Sequence, residues 1–276
     1  MSGLAVIAGQ EWRTMSRNRW LVGSVLLMLG FAVFLALVGS APGGRTGASA
    51  LEVLVVSLST LGVYFVPLLG LLMGHDAVIA EAERGTLALT LSYPVTRDSF
   101  LAGKAISHAA VTLVAVATGF GAAAAIALIR QGAQVDSHGA WAFLGLVVST
   151  FLLGLVFLLI GYAISARVRE RATAVGLAVA IWLFFVILYD LGVIGILVAS
   201  AGGLPNGLVR GLLLANPTDV YRLFNLQAVG GEKLAVGVTG AGLHLGLGPV
   251  ALASAGLVWL LTVAVWARWS FLKREL

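Results

Sequence analysis

Long uncharged apolar runs alternate with short polar breaks along this chain. A helix rises about 1.5 Å per residue, so a hydrocarbon core of about 30 Å needs about 20 apolar residues to cross it. Runs of that kind lie near 20–40, 53–74, 105–129, 141–166, 172–189 and 249–267. The pattern predicts an all-α integral membrane protein with six transmembrane helices. It divides the chain into an amphipathic helix at 1–19, the first two spans at 20–75, a polar segment at 76–104, the third to fifth spans at 105–189, a long second segment at 190–248, and the sixth span with its tail at 249–276.

Residues 3–19 place Leu4, Ala8, Trp12 and Met15 on one helical stripe, with Gln10, Arg13, Thr14 and Arg17 elsewhere around the helix. Such a helix lies in the headgroup region before the chain enters the bilayer. The apolar run behind it is too long for a leader peptide, and Ser40-Ala41-Pro42 is a poor cleavage site, so it reads as the first span. In the segment 190–248, LGVIGILVASAGG at 191–203 is apolar but too short to cross, which predicts a re-entrant or interfacial piece. Asn216-Pro217 signals a turn, with Thr218 or Asp219 capping a short helix. Small-residue spacings at Gly119, Ala123 and Ala127, and at Gly161 and Ser165, predict close helix packing.

Charge adds orientation. Of 17 basic residues, twelve gather on the side of the N-terminus: Arg13, Arg17, Arg19, Arg84, Arg97, Lys104, Arg167, Arg169, Arg171, Arg268, Lys273 and Arg274. Arg45, Arg130, Arg210, Arg222 and Lys233 remain for the other. The positive-inside rule then puts both termini in the cytoplasm and 190–248 outside. The net charge of +5 is spread over span ends instead of forming one patch, which argues against nucleic acid as a partner. With 60% hydrophobic and 11% charged residues, the composition is far from the roughly 25% charged of soluble domains. Cysteine is absent, which excludes disulfides and thiolate metal sites.

One polar break differs from the rest. In EAERGTLALTLSYPVTR, residues 81–97, Glu81, Glu83 and Arg84 force the second span to end near Gly74 to Asp76, because each charge would cost about 2.5–3.5 kcal/mol in hydrocarbon. Gly85 breaks the helix, Thr86 caps a short new one, Leu87, Leu89 and Leu91 give it apolar surface, and Pro94 stops it. Leucines ringed by charge mark a protein interface. The same leucines also fit beneath the bundle as an ordinary loop, and composition alone does not choose.

Glu81, Glu83, Arg84, Gly85, Thr86 and Leu87, followed by Leu91-Ser92-Tyr93-Pro94-Val95-Thr96-Arg97 and Gly103-Lys104, resemble the segment after the second span of type-2 ABC transporter permeases. Gly74-His75-Asp76-Ala77-Val78-Ile79 is similar to the same stretch in permeases that serve copper-site maturation of nitrous oxide reductase, a denitrification enzyme. The resemblance implies a multi-pass homodimer in a bacterial inner membrane, working with a cytoplasmic NosF-like ATPase subunit that binds the ATP and Mg. It also implies a periplasmic copper-handling NosD-like protein, with a copper chaperone as a further partner. Within it, Glu81, Glu83, Arg84, Gly85, Thr86, Leu87, Leu89 and Leu91 form a coupling helix, and Arg167, Arg169 and Arg171 are additional ATPase contacts.

No Gly-x-x-x-x-Gly-Lys-Ser/Thr run occurs, so the chain is expected to hold neither ATPase nor cofactor of its own. His75, His108, His138, His244, Met15, Met28 and Met73 form no ladder within a span, and a site from Met73, His75 and Asp76 is disfavoured, so no metal is assigned. Asp190 reads as a span end at the outer interface. A membrane hydrolase or an ion-coupled transporter needs ionisable groups at depth, of which the spans are nearly free. An exporter for another substrate and a structural anchor for outer proteins remain the alternatives.

Overall fold

The computed structural model describes residues 3–16, 19–38, 50–131, 137–200, 203–230 and 245–275. The secondary-structure elements among the described residues are all helical. In order they form α1 (Gly3–Ser16), α2 (Arg19–Val38), α3 (Ala50–Gly74), α4 (Ile79–Glu83), α5 (Thr86–Ser92), α6 (Arg97–Gln131), α7 (Ser137–Arg167), α8 (Arg171–Leu183), a π turn (Phe184–Leu188), α9 (Tyr189–Ala199), α10 (Asn206–Leu214), α11 (Pro217–Ala228) and α12 (Pro249–Leu272). Five of the described helical stretches are long and apolar enough to cross a membrane: 53–83, 97–129, 139–167, 171–199 and 249–272. The predicted first span is the apolar helix α2, whose qualifying stretch Val25–Leu37 is shorter.

α3 and α7 are the central pair, with α6 and then α1 and α2 on one flank and α11 and α12 on the other. Glycine sets how closely the central pair approaches. A Cβ on Gly161 would stand 2.8 Å from the Gly74 Cα, and one on Gly70 would stand 2.7 Å from the Gly154 carbonyl oxygen. In lipid no hydrophobic force drives helices together, so this close contact is a main source of cohesion. Gly119 faces α2 with an ordinary 3.4 Å contact to the Met28 methyl.

Three expectations change. Residues 191–199 are not a separate interfacial piece but the distal end of the expected fifth helix, which runs through the π turn over 171–199. Asp190 therefore lies within that helix, ion-paired with Arg222 of α11. The π turn leaves the Phe185 carbonyl in need of a donor, and Asn216 Nδ2 supplies it at 3.0 Å, with the Thr218 hydroxyl 3.2 Å away. The cap of α11 is Asn216 itself, accepting from Thr218 N at 3.0 Å, with Pro217 as the first helical residue. Likewise Thr86 does not cap α5. Gly85, at φ 72°, holds the cap position in a left-handed conformation that a side chain would strain, while the Thr86 hydroxyl turns back to Glu81 O at 3.2 Å.

Candidate functional site

The polar segment after α3 is not a loose loop. Its first turn is pinned from α7, where Ser165 Oγ accepts from both Val78 N and Ile79 N at 3.0 Å, which serves two amides at the unpaired start of α4. Glu83 reaches the next helix pair, its Oε1 accepting from Arg171 N at 3.0 Å, so it caps α8 from another part of the chain. The Arg171 guanidinium pairs with Asp76 on the same segment. Glu81 turns the other way, 2.6 Å from the Lys104 ammonium of α6. The two glutamates thus tie one short helix to both sides of the bundle.

α5 projects from this base. Leu87 is 2% exposed and packs with Met73, Val78, Phe100, Tyr162 and Phe271. Leu91 is half-buried against the same cluster, while Leu89 is 61% and Tyr93 64% exposed. Arg84 is exposed at the turn. The helix stops at Ser92, and the Thr96 hydroxyl accepts from Ser99 N at 3.1 Å at the start of α6.

The basic residues at this end do more than set orientation. Arg97 Nη1 donates to the Leu272 and Arg274 carbonyls at 2.9 and 3.0 Å, closing the end of α12. Arg274 Nη1 donates to Ser165 O, Ala166 O and Val168 O at 2.9, 3.0 and 3.1 Å, closing the end of α7. Both place a cation where helix carbonyls lack partners and the dipole is negative. Arg167 bonds Ser270 Oγ at 2.9 Å and lies 4.7 Å from the Trp269 ring centre, and Arg169 is exposed. Of the three arginines at 167–171, only Arg169 points away from the fold.

Sequence reading overlooked Glu11. On α1, Ile7, Ala8 and Glu11 turn toward the bundle while Trp12 of the predicted stripe is exposed. Ser107 Oγ donates to Ala8 O at 2.6 Å, and Glu11 meets Lys104 and His108 at 3.0 and 3.1 Å. Burial alone would push the Glu11 carboxyl up, but the His108 hydrogen bond and the Lys104 charge together outweigh it and hold it down at about 2. Its spacing to Lys104 and His108 on α6 shows no periodicity that could have flagged it.

Of the candidate metal ligands, Met73 Sδ faces Thr112 at 3.9 Å and Asp76 is taken by Arg171, so these do not converge with His75. Among the described residues no three His, Asp or Glu side chains gather as a metal site. His244 lies outside the described residues, as do the side chains of Met15 and His138. At the opposite end, a cavity of about 230 Å³ between α7, α11 and α12 is walled by Val148, Leu152, Val156, Leu252 and Trp259. That wall offers apolar contact and no charge.

Residues 5–276 match the ABC-2 family transporter proteins. The chain is 40% identical over 259 residues to the "Probable ABC transporter permease protein NosY" of Stutzerimonas stutzeri, covering 94% of this chain and 91% of that protein. It is 40% identical over 267 residues to the protein of the same description from Pseudomonas aeruginosa, covering 95% and 92%. With its polar segment clamped between apolar helices, the chain belongs to the ABC-2 family of transporter permeases and resembles NosY along nearly its whole length.

Proposed function

We propose that this permease subunit has six spans with both termini in the cytoplasm, and that residues 79–92 are its coupling element, seated in a separate NosF-like ATPase subunit. The observation that carries this reading is the contrast within α5. Leu89 stands exposed at the tip of a segment whose base is held by Glu81, Glu83 and Ser165 to three different helices. A load applied at Leu89 passes directly into α6, α7 and α8, which is what a mechanical input requires. The ATP and Mg belong to the partner, and two copies of this chain present two such inputs.

The likeness to NosY relatives supports a narrower reading, in which the complex serves copper-site assembly of nitrous oxide reductase. A NosD-like copper-handling protein then docks at the opposite end, and the metal is held by partners. The apolar cavity wall and the absence of a metal cluster among the described residues fit mechanical signalling better than passage of a copper ion. A generic exporter and a structural anchor are the competing readings, and an anchor needs no exposed Leu89. The test is co-purification with a NosF-like ATPase subunit expressed together with it, followed by Glu81→Ala and Glu83→Ala together. The pair of substitutions is expected to leave membrane insertion and ATPase retention intact while reductase activity falls about tenfold or more. Normal reductase activity in that variant, or no ATPase retained by the parent, overturns the proposal.

A further inference from the structure

Lys104 is 4% exposed and stands where three distant stretches of chain meet. Its Nζ lies 3.0 Å from Glu11 Oε2 on α1 and 2.6 Å from Glu81 Oε1 on α4. The other Glu11 oxygen lies 3.1 Å from His108 Nε2, and His108 Nδ1 lies 2.8 Å from the Tyr162 hydroxyl of α7. A neutral imidazole satisfies both contacts, donating from Nε2 to Glu11 and accepting from Tyr162 at Nδ1. Glu81 has no other cation within ion-pair distance among the described residues, so one ammonium serves both glutamates. Removing one member of such a buried set leaves the others without compensation, so it costs far more than breaking a surface pair.

We propose that Lys104 is a positioning residue that latches the N-terminal helix to the coupling segment, so that α1 and α4–α5 move as one body with the near end of α6. This rests on the reading of residues 79–92 as the coupling element. Polar bonds join α1 to α6 through Ser107, Lys104 and His108, and α4 reaches α6 through the same lysine. Motion of the ATPase is therefore delivered to α1 as well as to the spans, and α1 becomes a second output arm, presenting Trp12 and Gln10 away from the bundle. A loop that only connected two spans would need no charge shared with a helix 70 residues upstream.

The chain has no cysteine, so labels can be placed without background. Spin labels at Gln10→Cys and Arg84→Cys, both exposed positions, report the separation of α1 from the coupling segment. In the permease alone the distance distribution is expected to be single and narrow. Lys104→Met should broaden it about twofold or split it, and Lys104→Arg should restore it, because the arginine returns the charge but the methionine only the volume. Should Lys104→Met fail to fold, Glu11→Gln serves instead, since it keeps the packing and removes the charge that Lys104 holds. In complex with the ATPase, the parent distance should stay the same with and without trapped nucleotide. A Lys104→Met or Glu11→Gln distribution equal to the parent's overturns the latch, as does a parent distance that changes with nucleotide. Failure to retain the ATPase counts against the proposed function alone, because the permease-only measurement still reads the latch.

Discussion

Gly161 and Ser165, one helical turn apart on α7, show how much rests on single small side chains. Gly161 lets α3 and α7 touch backbone to backbone, and Ser165 receives two amides from the chain as it leaves α3. A Cβ at Gly161 would meet Gly74 backbone atoms at 2.8 and 3.0 Å, where no flexible side chain can yield. Gly161→Ala should therefore cost about 1–3 kcal/mol as overpacking, seen as a lower midpoint of thermal aggregation in detergent, while Gly119→Ala should be near neutral. Asp219 makes a second residue-level case. Burial pushes its carboxyl up and the Asp190 charge adds to that, with the Arg222 charge only partly offsetting both. A carboxyl raised in the folded state stabilises most fully below its ordinary value and loses that contribution as pH rises through the raised one. Thermal stability of the parent should thus fall across about pH 5 to 8 more steeply than that of Asp219→Asn, and parallel profiles would remove Asp219 as the cause.

The proposed coupling segment shows how an element acquires two faces. Seven residues are too few for a stable isolated helix, so α5 exists because Leu87 is buried and its base is tied down. Burial of Leu87 is worth about 2 kcal/mol, and a charge there would be stranded in the apolar cluster. Leu87→Asp should abolish purification of a folded permease. Leu89→Asp should fold and insert normally yet lose the ATPase on washing, by about tenfold or more in retained stoichiometry. Equal behaviour of the two variants would mean that α5 does not present Leu89 to a partner. The π turn works on the same scale, because its freed Phe185 carbonyl gives α11 a fixed seat on the fifth helix.

At the scale of the whole molecule, the two ends of the bundle are built differently. One end is closed by two arginines and a glutamate bonded to helix termini, through Arg97, Arg274 and Glu83. The other is closed by α10 and α11, with Trp259 Nε1 donating to Leu214 O at 3.0 Å and Tyr189 donating to Leu212 O at 2.7 Å. If the basic end is cytoplasmic, a cysteine at Asn206 should react with a membrane-impermeant reagent added from outside, and one at Ser2 should not. Labelling at Ser2 would invert the proposed topology.

Apolar run length and the placement of charge were enough by themselves to establish a helical membrane protein, the end of α3 at Gly74 and the break at Gly85, because transfer energies and glycine's backbone freedom act locally. The segment 81–97 was legible as a polar break for the same reason, since charge in an apolar chain must leave the bilayer. The inward turn of Leu87 and the outward turn of Leu89 were not legible, because in so short a helix neighbouring packing decides the face. The docking of α1 on α6 was not legible either, because it rests on Glu11 meeting Lys104 and His108 from a distant part of the chain. The fifth helix was cut short in the reading because Asp190 looked like a span end. Only the tertiary structure supplies Arg222, from a helix 32 residues further on, to neutralise that charge and let the helix continue.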